Sequence, residues 1–300
     1  MWRWGRAAVA VAVLPVLAGC DALASDADDG PQVVASFYPL AYVAQRVVGD
    51  HATVTNLTAP GLEPHDLELS PRQVADLSVA DLVVFEKGFQ PSVDEAVDQN
   101  AEGTTLNVAD VVPLEDTGAP TEDGSDLAGD PHVWLDPTLL EPVADKVATD
   151  MARIDPQHTA AYRRNAAALD ADLRQLDSAY RRGLRHCARS EFVTSHAAFG
   201  YLARRYGLTM IAIAGLSPDV EPSPQHIAQI QDLITSHGIT TVFSEVLGSK
   251  KYADTLAHDV GVKAAVLDPI EGLPSEDSHE DYLSLMRANL TALEEANGCS

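Results

Sequence analysis

Three of the ten histidines in this 300-residue chain stand where a metal site or a catalytic centre is most readily built. His65 ends the turn-rich run Ala59-Pro60-Gly61-Leu62-Glu63-Pro64. His132 lies in Asp130-Pro131-His132-Val133-Trp134-Leu135-Asp136-Pro137, and His196 comes one residue after the run Glu191 to Ser195. Asp268 directly follows the apolar run Val262 to Leu267. Beside His132, Asp130 and Asp136 can accept a hydrogen bond from one imidazole nitrogen and leave the other free for a metal. Pro131 fixes its own φ and restricts Asp130, so the imidazole is presented from a stiff backbone. Three imidazoles and one carboxylate suit a borderline cation such as Zn2+ in four-coordinate geometry. Glu245, after the run Ile239 to Ser244, is expected to support that site or to compete as a ligand. No HxxxH or CxxC clip is present, so spacing alone leaves a second reading open: four separately satisfied loop residues.

The elements that must position these groups alternate. Short β-rich runs at 32–37, 52–58, 81–85 and 104–108 are interleaved with helical spacing at 39–48, 71–78 and 91–99. Ser70-Pro71 reads as an N-cap followed by proline at the first helical position. Residues 139–153 are helical, and 156–185 form a long helix whose apolar side is Tyr162, Ala166, Leu169, Leu173, Leu176 and Tyr180. Its charged remainder, Arg163, Arg164, Asp170, Asp172, Arg174 and Asp177, reads as a solvated face. A second βα series follows, with strands at 191–195, 208–213, 239–244 and 262–267 and helices between and after them. Strands alternating with helices predict α/β architecture. The expectation is two parallel-sheet lobes bridged by one long helix, with the site in the interlobe cleft at the carboxyl ends of strands. The division predicted is a leader over 1–20, a tether over 21–31, a first lobe over 32–154, a linking helix over 155–186 and a second lobe over 187–300. Leu114 to Gly129 is acidic and aperiodic and reads as a surface loop.

The formal charge of −25 argues against nucleic acid or an anionic membrane surface as partner. Two arginines, a short apolar run and small residues up to Cys20 have the form of a secretory signal, too short to span a bilayer. The ending Leu17-Ala18-Gly19-Cys20 resembles a bacterial lipobox, which implies lipidation of Cys20 and anchorage on the outer face of the cytoplasmic membrane. Export would place Cys187 and Cys299 in an oxidising compartment, where they form a disulfide or remain two buried thiols.

Glu63-Pro64-His65-Asp66-Leu67-Glu68-Leu69-Ser70-Pro71, Asp130 to Pro137, Ser195-His196-Ala197-Ala198-Phe199-Gly200-Tyr201 and Leu267-Asp268-Pro269 together resemble the signature segments of the zinc/manganese substrate-binding lipoproteins of ABC importers. The resemblance spans the chain after its leader. It implies a non-enzymatic, monomeric receptor that delivers metal to an ABC permease and its ATPase. It also implies the ligands His65, His132, His196 and Asp268, and histidine in the third segment implies Zn2+ over Mn2+. Zinc-type relatives often carry a histidine-rich loop before the second ligand; here the acidic loop has no histidine. The alternatives are a manganese or iron receptor or an adhesin on the same scaffold, and, more remotely, a zinc hydrolase using Asp268 or Glu245 as base.

Overall fold

The computed structural model describes residues 1, 2, 30–117 and 129–300. The leader with Cys20, most of the tether and most of the acidic loop lie outside the described residues. Two four-stranded parallel sheets form the frame. In the first, β1 (Gln32–Ala35), β2 (Thr53–Asn56), β3 (Leu82–Phe85) and β4 (Thr104–Asn107) lie in the order β2-β1-β3-β4. In the second, β5 (Glu191–Thr194), β6 (Thr209–Ala212), β7 (Thr241–Ser244) and β8 (Lys263–Val266) lie in the order β6-β5-β7-β8. Every pairing is parallel, as the βα alternation predicts. Each strand is one to three residues shorter than its apolar run.

Helices α1 (Tyr38–Val48), α2 (Pro71–Val79) and α3 (Pro91–Asn100) complete the first lobe, and α4 (Leu140–Ile154) runs back behind it. Ser70 accepts from the Gln73 amide and forms a reciprocal capping box at α2. The bridge, α5 (Thr159–Gly183), follows a short 3-10 turn at Pro156–His158. It packs on α1 and α4 and, at its far end, on α9 (Tyr282–Asn297). The second lobe also holds α6 (Gly200–Tyr206), α7 (Pro224–His237) and α8 (Lys251–Val260). The predicted apolar side of α5 is buried throughout.

Its other side is less solvated than expected. Asp172 pairs with Arg46 of α1 at 2.6 Å, Arg174 with Glu141 of α4 at 2.6 Å, and Asp177 takes Arg205 of α6 at 2.8 Å. Asp170 is buried outright. A helix enclosed by neighbours at both ends turns i, i+4 surface charges into interhelical ties. One apolar core runs through both lobes, from Val33 and Leu40 through Trp134 and Leu173 to Tyr282 and Leu293. Cys187 and Cys299 are joined in a disulfide that closes the second lobe on itself.

Candidate metal centre

Each candidate histidine is delivered by a strand end or a proline-stiffened turn. His65 sits in the loop after β2, His132 opens a 3-10 turn at Val133–Leu135, and His196 leaves β5 in extended conformation. The three Nε2 atoms converge on one carboxylate, which belongs to Glu271. The distances from Glu271 Oε1 are 3.4 Å to His65, 3.3 Å to His132 and 3.2 Å to His196, and His132 and His196 Nε2 stand 3.3 Å apart. Among the described residues these four side chains form a group able to hold a metal ion. His132 and His196 are fully buried and Glu271 almost so.

These four separations fit the edges of a four-coordinate zinc cage, and all four ligand atoms lie within 4.8 Å of one another. In a regular tetrahedron the edge is about 1.6 times the centre-to-corner distance, so bonds of about 2.0–2.1 Å require edges of about 3.3 Å. The far nitrogens are fixed as well. Asp130 Oδ1 accepts from His132 Nδ1 at 2.7 Å and from its backbone amide at 2.9 Å, and Glu245 Oε1 accepts from His196 Nδ1 at 2.7 Å. Both contacts commit the proton to Nδ1 and present the Nε2 lone pair. Glu245 therefore supports a histidine and stands outside the four-atom group. Asp130 is held in turn by the Thr117 hydroxyl, which donates to its Oδ2 at 2.6 Å.

Asp268 does not join the group. Its Oδ1 accepts from the Ile270 amide at 2.8 Å, while Asn289 accepts from its N–H at 2.9 Å and donates to its carbonyl at 2.6 Å. Asp268 thereby builds the turn at the end of β8, and the fourth corner falls to Glu271, three residues further on. Ile270 takes φ 59° in that turn, a strained conformation for a β-branched residue. Sequence reasoning missed Glu271 because it assigned the carboxylate nearest the strand end. The available signal was the pair of acids in Asp268-Pro269-Ile270-Glu271, of which an Asp before proline is the natural turn builder.

The site's electrostatics couple protons to cation binding. Burial pushes the His65 imidazole below its usual range, against the pull of Glu271. At His132 burial acts the same way, but Asp130 and Glu271 outweigh it and raise the imidazole. At His196 burial is again overcome, by Glu245 and Glu271, and the imidazole is held well above its usual range. Burial would raise Glu271, yet His65 and His196 hold its carboxyl well below the ordinary value. Protons on these imidazoles compete with a cation for the same lone pairs.

Trp134 packs edge-on against Phe37 and Phe89 of the first lobe and also reaches the second. Its Nε1 donates to Pro269 O at 2.7 Å, and the Tyr282 hydroxyl donates to its carbonyl at 2.5 Å. Asp136 caps its own turn through Thr138 and meets Arg205 at 3.1 Å. At the lobe junction Gly200 has no room for a side chain. A Cβ there would lie 2.6 Å from Asp130 Oδ2 and closer still to Thr117.

Two parallel-sheet lobes closing on a buried cage of three imidazoles and one carboxylate have the architecture of a two-lobed binding protein. The chain belongs to the family described as zinc-uptake complex component A, periplasmic, whose model matches residues 33–296. It is 32% identical over 312 aligned residues to the high-affinity zinc uptake system protein ZnuA of Bacillus subtilis (strain 168), with 98% of each chain covered. It is 36% identical over 287 residues to the zinc-binding lipoprotein AdcA of Streptococcus pneumoniae; that match covers 90% of this chain and 56% of AdcA. Among solved structures, the laminin-binding protein Lmb of Streptococcus agalactiae, described as having adhesin and metal transporting activity, superposes with a TM-score of 0.79 at 31% identity. That superposition covers 89% of this chain and 99% of Lmb.

Proposed function

We propose that this chain is an extracytoplasmic receptor that captures Zn2+ between its lobes and hands it to an ABC permease and its ATPase. The observation that carries the reading is the cage itself, with separations of 3.2–3.4 Å between Glu271 Oε1 and the three histidine nitrogens. Three imidazoles favour Zn2+ over Mn2+, which takes more oxygen ligands and a higher coordination number. Four protein groups close the coordination sphere, which suits carriage better than hydrolysis, where one position is kept for water. The lipobox-like segment supports anchorage through Cys20, and a relative named as a lipoprotein supports it too. Among the described residues no helix is long and apolar enough to cross a membrane.

Isothermal titration of metal-free protein, with chelator competition, tests this. One Zn2+ per chain should bind at least 100-fold more tightly than Mn2+. Absence of zinc binding would overturn the proposal, and a preference for Mn2+ would transfer it to the manganese alternative. Surface capture of laminin without metal dependence would favour the adhesin alternative.

A further inference from the structure

Three of the four cage residues are buried and the His65 side chain is only 8% exposed, so a cation reaches the cage through a particular wall. On the first-lobe side that wall is aromatic. Phe89 lies edge-on to His65 at 4.6 Å between ring centroids, and Trp134 lies 5.2 Å from His132. Below the cage, Leu267 and Ile270 are completely buried. Towards the second lobe the wall is hollow. A cavity of about 230 Å3 is lined by Glu63, Ser195, Asp219, Val220, Glu221, Glu245 and Tyr252, among others.

Two of those carboxylates touch ligand-bearing residues directly. Glu245 Oε1 is the partner of His196 Nδ1, and Glu63 Oε1 accepts from the His65 amide at 3.4 Å. Glu245 is only 5% exposed. The second oxygen of Glu63, Oε2, is buried with no hydrogen-bond partner. Further out, Asp219 is exposed and lies close enough to Asp66, which follows His65, for the two carboxyls to interact. Glu221, also exposed, lies near Tyr252 on the same cavity lining. Acidic side chains are thus ranged from the rim inward to the back of two ligand histidines.

We propose that this cavity is the entry vestibule for the divalent cation, with Asp219 and Glu221 attracting it at the rim and Glu63 and Glu245 receiving it beside the cage. The proposal rests on the metal-receptor reading above. An acid-lined passage with low-dielectric walls focuses the field and raises the local cation concentration, so its charges act on association more than on the bound state. Exchange of hydration water for carboxylate oxygen on the way in eases transfer to the imidazoles.

Stopped-flow mixing of metal-free protein with Zn2+, and of loaded protein with excess chelator, separates the two rate constants. The variant Asp219→Asn with Glu221→Gln keeps both side-chain shapes and removes their charge. Its association rate constant at low ionic strength should fall several-fold and lose part of its salt dependence, while dissociation stays within twofold. Val220→Trp, which fills the passage, should slow association and dissociation together. Unchanged association in the charge variant, or unaffected rates in Val220→Trp, would overturn the vestibule. Failure of the wild-type protein to bind zinc at all would instead sink the receptor reading.

Discussion

Glu271 and Asp268, three residues apart, divide two tasks that the sequence suggests for one side chain. Glu271 faces the three imidazoles, whereas Asp268 shapes the turn that aims it. Glu271→Gln should therefore lower zinc affinity by at least 100-fold, and Asp268→Asn by about tenfold or less, in keeping with loss of a supporting contact. Equal losses in a chelator competition would contradict the assignment. Burial raises the Asp268 carboxyl from 3.8 to about 6. A carboxyl raised on folding contributes stability that is fully present below the unfolded pKa and lost as pH rises through the folded one. Metal-free protein should accordingly lose on the order of 2–3 kcal/mol from this group between about pH 4 and 6. Asp268→Asn should flatten that segment of the stability profile, measured by denaturant unfolding; an unchanged slope would assign it elsewhere. The three histidines were legible because a strand end or a proline marks each of them. The fourth member of the cluster was hidden because choosing between two nearby acids depends on a backbone turn, which residue types alone do not orient.

At the level of elements, each strand and helix of the two βα series was legible from period and punctuation, since a buried parallel strand and a capped helix both leave a local signature. What was not legible is how elements meet. The charged side of α5 reads as solvated until its partners Arg46, Glu141 and Arg205 are seen to arrive from three other helices. The junction at Gly200 is similar, because close approach of Thr117 and Asp130 is a tertiary fact. Gly200→Ala should push Asp130 off the His132 Nδ1 and weaken zinc binding about 10–100-fold, with a smaller effect on melting of the metal-free protein. Wild-type affinity in that variant would show that α6 can shift aside.

For the molecule as a whole, the bridging helix is the one the sequence predicts, and the apolar core it joins draws residues from both lobes, which the lobe-by-lobe reading of the sequence did not anticipate. The disulfide between Cys187 and Cys299 closes a sequence separation of 112 residues that contains the whole second sheet. In the chain-entropy picture its removal costs about 4–5 kcal/mol. Cys187→Ser with Cys299→Ser should lower the melting temperature of the metal-free protein by several degrees or more, with zinc affinity little changed because no cage residue lies near that end. A melting temperature unaffected by the double change would show that the unfolded chain gains little freedom from opening the loop.

The tryptophan that ties the lobes together also gives the protein an optical signal. Trp2 and Trp4 lie in the expected leader, so a chain beginning at Cys20 carries Trp134 as its one indole. Its ring stands 5.2 Å from that of His132, close enough for emission to register whether the imidazole carries a proton or a metal. Ultraviolet fluorescence of the processed protein should change in proportion to occupancy and saturate at one equivalent, with no attached dye. A flat emission trace at full loading would show that the indole is indifferent to its neighbour's charge.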